Sequence, residues 1–284
     1  MANLNLVSKS FKEGFGMAKG NWRELFVENA KIVLAALVLS AMAGIIVGLP
    51  AALAADALLG SGAGLWAGVA LGIFAAVLIY SGMESVSYNV VHEVEGKKRH
   101  SLFGNFKRNV LPVAVYTIIL LAIIYGIAYG PRFALILSGM DFTQNIALDL
   151  ALNIYETSIS IIIGFVTFFA LFELVLNNAG VLQSIGKSYS LVKANLVETL
   201  VFYVAYGIYS FVVGLVLGIV FGIIFGVPFL LGAMLLGGIS SSALTLVIAL
   251  AVLLGGAFIV VFLAGTCTAV LPIVYRFWKL AGEK

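Results

Sequence analysis

One pattern occurs three times along the chain: an aromatic residue, a lysine four positions on, an asparagine two further, then an apolar run. The copies are Phe15, Lys19 and Asn21; Phe103, Lys107 and Asn109; and Tyr189, Lys193 and Asn195. The asparagines are 88 and 86 residues apart. A repeat at near-constant spacing constrains architecture before any local feature does. Here it predicts three copies of one membrane unit, over 1–94, 95–178 and 179–284, within a single membrane domain. It names no activity.

Hydrophobic residues make up 62% of the 284 and charged ones 10%, where a soluble domain is roughly a quarter charged. Such a chain cannot cover itself with polar surface in water, so an integral membrane protein is expected. The lone cysteine, Cys267, lies in an apolar stretch and reads as a small buried residue; it can form neither an internal disulfide nor a zinc cluster. Lys9, Lys12, Lys19, Arg23 and Lys31 precede or open the first apolar run. That run is far longer than a signal-peptide core, so the first helix is expected to stay as an anchor.

Six spans are predicted, near 27–49, 65–91, 110–130, 151–177, 196–231 and 242–275. Each has the ~20 apolar residues that cross a bilayer core. Pro228 is expected to kink or end the overlong fifth span, and Gly130-Pro131 to end the third. Fifteen of the sixteen lysines and arginines fall in the N-terminus, the 97–108 and 187–193 links and the C-terminus; Arg132 is the exception. The excess of positive charge on the inner side places both termini and both basic links in the cytoplasm. Asp56, Asp141 and Asp149 go with the opposite loops.

The repeated segment precedes each odd-numbered span. From Gly180 to Asn195, Val181, Leu182, Ile185, Tyr189 and Val192 recur at three- and four-residue steps, with Gln183, Lys187, Lys193 and Asn195 largely between them. That is a short amphipathic helix suited to the headgroup plane. The chain then turns at Lys-x-Asn, where asparagine is expected to cap the incoming helix. Each unit is thus an elbow followed by a hairpin of two spans. An even number of spans makes the three copies parallel, about an axis along the membrane normal.

The run G-V-L-Q-S-I-G-K-S-Y-S-L-V-K-A-N from Gly180 to Asn195 resembles a segment of the form G-V-L-E-S-L-K-R-S-W-x-L-V-K-G-N in a broad prokaryotic six-span membrane family. That family includes the membrane domain attached to some glycerophosphodiester phosphodiesterases and several uncharacterised archaeal and bacterial members. Met17-Ala18-Lys19-Gly20-Asn21-Trp22 is similar to the end of the same motif. The resemblance implies the fold and the membrane location. It carries over no activity, and the loops here are too short to hold a phosphodiesterase domain.

Intramembrane acids are costly, which makes Glu84 and Glu173, 89 residues apart, the candidate polar site. The third copy has Phe262 at that position, with Thr266 and Thr268 nearby. Either the pair serves a cation, proton or headgroup, or an elbow lysine or corner asparagine bonds each carboxylate and locks elbow to hairpin. Glu156, His92 and Glu198, nearer span ends, read as solvated or interfacial. Gly64, Gly68 and Gly72, and Gly214, Gly218, Gly222 and Gly226, each form a side-chain-free helix face. Such a face serves packing within the bundle, self-association, a pore or a lipid chain. Tyr203, Tyr206 and Tyr209, with Trp22, Trp66 and Trp278, read as interfacial or hydrogen-bonded aromatics. Lys97, Lys98, Arg99, Lys107 and Arg108 form a small basic patch that suits anionic lipid and topology, not nucleic acid. The chain has no phosphate-binding G-x4-G-K-[ST] loop, no H-E-x-x-H and only two histidines, His92 and His100.

The sequence therefore predicts an all-α polytopic protein of the cell membrane, with six spans in three parallel elbow-plus-hairpin repeats and cytoplasmic termini. It is expected to be a non-enzymatic scaffold or accessory subunit, without cofactor. Lys19, Asn21, Lys107, Asn109, Lys193 and Asn195 would face lipid headgroups. Its partners would be membrane lipid and a partner membrane protein or a second copy. The alternative is a transporter or channel using Glu84 and Glu173. Membrane-impermeant thiol labelling tests the orientation in a Cys267→Ala background: Ser61→Cys should react from outside intact cells and Lys98→Cys only after lysis. External labelling at position 98 would invert the topology.

Overall fold

The computed structural model describes residues 4–59, 63–96, 101–139, 145–221, 223 and 241–283, with the backbone alone at 58–59, 63, 65, 84, 102, 221 and 241–254. The described residues are 93% helical, without strands. In order they form α1 (Leu4–Gly20), α2 (Trp22–Leu59), α3 (Ala63–Glu95), α4 (Leu102–Ile123), α5 (Gly130–Leu137), α6 (Ile146–Thr167), α7 (Ala170–Val175), α8 (Val181–Ala194), α9 (Leu196–Phe221) and α10 (Ser241–Gly282). Six helical stretches are long and apolar enough to cross a membrane: Trp22–Ala57, Trp66–Glu95, Phe103–Ala128, Ile146–Val175, Leu196–Val220 and Gly255–Gly282. This is the make-up of a multi-pass membrane protein. Pro228, Asp141, Gly222, Gly226, Lys97, Lys98, Arg99 and His100 lie outside the described residues.

Two of the three expected elbows have the same local form. α1 ends at Asn21, whose N–H and side-chain amide both donate to the Met17 carbonyl (3.0 and 3.2 Å). α8 ends at Asn195, which repeats both bonds onto Leu191 (3.1 and 3.2 Å). The asparagine thus closes the helix it leaves and does not cap the one it enters, satisfying a terminal carbonyl that has no helical donor. Eleven and seven residues before each asparagine stand small residues on the buried face: Ser10 and Gly14 in α1, Ser184 and Ser188 in α8. The middle copy differs. Asn109 lies inside the unbroken α4, buried, and its Oδ1 accepts from Arg108 Nε (3.3 Å). No corner is formed there.

The chain forms two compact units, each taking residues from more than one expected repeat: Met1–Leu39, Val86–Leu102 and Val197–Lys284, and Ser40–Ser85 with Phe103–Leu196. In the first, α1 packs along α10 at Gly14. A Cβ there would stand 2.5 Å from Ile273 Cα, so only glycine permits the contact. Phe11 of α1 meets Phe202 and Tyr209 of α9, with ring centroids 5.6 and 6.0 Å apart, and Phe202 stacks on Phe277 at 4.1 Å.

In the second unit, α2 and α3 meet backbone to backbone. A Cβ on Gly48 would lie 2.7 Å from the Gly68 carbonyl oxygen, and one on Gly72 would lie 2.8 Å from that of Gly44. Asp56 Oδ1 accepts the Gly64 N–H (2.9 Å), tying the end of α2 to the start of α3. Gly130-Pro131 ends the third span as expected, after a π-helical turn over Ile124–Ala128. Pro131 has no N–H for the Ile127 carbonyl four residues back; the Tyr155 hydroxyl donates to it instead (3.0 Å).

The fourth span breaks at Phe168-Phe169, which the sequence does not foretell. Ser188 of α8 donates to the Val166 carbonyl (2.7 Å) and accepts the Phe169 N–H (3.2 Å), replacing helical bonds at the break. At the end of α7, Asn178 takes the left-handed conformation (φ 50°), and the Ala179 N–H reaches back to the Glu173 carbonyl (3.2 Å).

The glycine contacts predict opposite effects for one substitution. Gly48→Ala should destabilise the protein by ~1–3 kcal/mol through overpacking. Gly214→Ala, whose Cβ would meet only Phe262 at 3.8 Å among described residues, should be neutral or stabilise by up to ~1 kcal/mol through helix propensity. Monodisperse protein remaining after heating in detergent measures both.

Candidate functional site

Of the predicted polar pair, Glu173 is placed and Glu84 lies in α3 with its side chain outside the described residues. Glu173 is buried in α7. Its Oε2 accepts from Asn177 Nδ2 at 2.8 Å and stands 3.6 Å from Lys187 Nζ of α8. The carboxylate is therefore engaged by an elbow lysine, as the locking alternative requires. Together with Ser188, it clamps α8 against the broken end of the fourth span.

The first unit holds a larger ionic cluster that the sequence reading missed. Glu95, at the end of α3, accepts from Lys279 Nζ (2.9 and 3.0 Å) and from the Tyr275 hydroxyl, and pairs with Arg276 (2.7 Å). The Tyr275 hydroxyl is also 3.0 Å from His92 Nδ1. Arg276 stands 3.8 Å from Glu13 of α1. Glu13 lies eight residues before Asn21, and Lys187 lies eight before Asn195. The same elbow position thus carries a charge bound to a packed span, with the sign reversed.

A third cluster surrounds Arg132, the one basic residue outside the four basic segments. Its guanidinium reaches Glu156, Asp149 (3.0 Å) and the Asn153 amide oxygen (2.9 Å). Of the solvated or interfacial role expected for Glu156, the solvated one gives way: it is buried at 6% exposure, in an ion pair that joins α5 to α6. The hydrogen bond to Glu156, helped by Asp149 and opposed by burial, raises the Arg132 pKa beyond its ordinary value. The arginine stays charged throughout.

The remaining candidates separate into two groups. Lys19, Lys107 and Lys193 are exposed, Lys193 with its ammonium 6.0 Å from the Tyr189 ring centre. Asn21 and Asn195 serve their own helix ends. Gly64, Gly68 and Gly72 are consumed in the α2–α3 contact, with Gly44 and Gly48 as partners; the four-residue spacing of those two was visible in the sequence. Gly214 and Gly218 meet only the Phe262 ring, at 3.8 and 4.0 Å, among described residues. Tyr209 donates to the Ala269 carbonyl (3.4 Å). No protein-family model matches the chain, and neither a curated protein nor a solved structure matches it.

These arrangements are joints. Glu13, Glu95, Asp149, Glu156 and Glu173 are each paired with a cation on another element, and removing one member strands the other's charge. Glu95→Gln should cost ~1–3 kcal/mol, less than the ~3–5 kcal/mol of a fully buried pair because the site is partly open. Ser188→Ala should cost ~1–3 kcal/mol by leaving the Phe169 N–H and Val166 carbonyl unpaired. Thermal unfolding in one detergent checks both; an unchanged midpoint for either removes that joint from the account.

Proposed function

We propose that this chain is a non-enzymatic scaffold or accessory subunit of the cell membrane, with both termini in the cytoplasm. It engages lipid or a partner membrane protein through its elbow helices and the glycine face of α9. The observation that carries this reading is the contrast between the two glycine faces. Gly64, Gly68 and Gly72 are filled by α2, whereas among the described residues Gly214 and Gly218 of α9 meet only the Phe262 ring. Ile208, Phe211 and Val212 are exposed on the same helix. The fifth span is the least enclosed of the six: 6% of its most apolar stretch is buried, against 39% in the fourth. An apolar helix with a side-chain-free stripe suits a lipid chain or a partner's helix.

The engagement of Glu173 by Lys187 and Asn177 supports the same reading over a transporter. A carboxylate held by a cation from its own fold is less suited to binding a passing one. The resemblance of Gly180–Asn195 to the six-span prokaryotic family adds support for fold and location alone.

The test compares two variants in native membranes. Gly214→Trp with Gly218→Trp should abolish stoichiometric co-purification of a partner protein or a retained lipid in mild detergent. Glu84→Gln with Glu173→Gln should leave it intact. Proteoliposomes of the pure protein should show no ion or solute flux. Flux that the glutamine pair abolishes would replace this reading with the transporter.

A further inference from the structure

We propose that the corner between α1 and α2 holds one anionic phospholipid, its acyl chain in an apolar cleft and its phosphate on Lys19. The proposal rests on the lipid-engaging reading above and names the ligand class and its seat. The cleft has a volume of about 440 Å³, within the range of small-molecule sites. It is lined by Phe15 and Lys19 of α1, Trp22 and Phe26 of α2, Leu217 of α9 and Gly265 of α10.

Four properties select the occupant. First, the walls are almost wholly apolar, so the buried part of the ligand is hydrocarbon. Second, the cleft is elongated: Tyr209 and Leu217 both line it, and eight residues of helix span ~12 Å. Third, its charged member is a single cation. Lys19 makes no ion pair among the described residues, whereas Lys9, Lys31, Lys187 and Lys279 each stand against a carboxylate. An unpaired ammonium beside hydrocarbon walls complements a phosphate joined to an acyl chain. Fourth, Lys19 precedes the long apolar stretch that opens at Trp22, the place in sequence where a cation suits the headgroup layer. Gly265 lets α10 come close to α9 along the cleft: a Cβ there would stand 3.1 Å from Leu217 Cδ1.

Trp22 is a built-in reporter. In a Trp66→Phe, Trp278→Phe protein it is the sole tryptophan. The protein is reconstituted in phosphatidylcholine containing acyl-brominated phosphatidylglycerol, or acyl-brominated phosphatidylcholine at equal mole fraction. Quenching by the brominated anionic lipid should exceed that by the zwitterionic one by about fivefold, the preference one lysine confers near an anionic phosphate. Lys19→Gln should remove the excess and Lys19→Arg should keep it. Ala269→Phe, which fills the cleft, should also remove it. Equal quenching by the two lipids in the parent protein overturns the proposal. So does an excess that survives both Lys19→Gln and Ala269→Phe. Absence of quenching by either lipid would mean that a protein surface covers the cleft, and overturns it as well. Should Ala269→Phe fail to fold, the exposed Lys19 variants still decide. A partner lost on changing the α9 face, with no lipid preference at Trp22, would sink the lipid seat and leave the scaffold reading standing.

Discussion

A peptide N–H or C=O released inside hydrocarbon has no water to turn to. The described breaks in this chain occur where a side chain takes over the lost bond. Ser188 serves both sides of the Phe168-Phe169 interruption. Tyr155 serves the carbonyl that Pro131 cannot. Asn21 and Asn195 close the helices they terminate. This requirement explains why the elbows are attached where they are. α8 cannot leave the fourth span without exposing the groups Ser188 covers, so the elbow and the break form one structural element.

The same requirement separates what was legible in the sequence from what was not. Long apolar runs reveal spans because bilayer thickness sets their length. Gly130-Pro131 reveals a helix end because proline removes a donor wherever it stands. The break at Phe168-Phe169 carries no such mark. Its cause is a hydroxyl some twenty residues away, and nothing in two adjacent phenylalanines points to it. The Glu95 cluster is hidden for a related reason. Its partners Tyr275, Arg276 and Lys279 are about 180 residues distant, and only the packing of α3 with α10 joins them.

Motif identity was a weaker guide than motif surroundings. Lys-x-Asn occurs three times, yet Asn109 sits within a continuous helix while Asn21 and Asn195 make corners. The two corner copies also share small buried residues eleven and seven positions earlier, and those residues let the elbow lie close on its span. Glycine faces teach the same lesson. Four-residue spacing marks both α3 and α9, but α3 meets Gly44 and Gly48 backbone to backbone, while among the described residues Gly214 and Gly218 face only one ring. Spacing reports that a close approach is possible; the neighbouring helix decides whether it happens.

The charge at the matched elbow position is reversed between the two corners. Glu13 in α1 faces Arg276, and Lys187 in α8 faces Glu173. A site selected to bind a ligand of fixed charge would not keep its geometry while exchanging its sign. A joint would, because opposite partners attract equally well whichever helix carries the cation. By that criterion Glu173 belongs with the fastenings. Lys19 does not: it is exposed, and among the described residues no carboxylate stands against it.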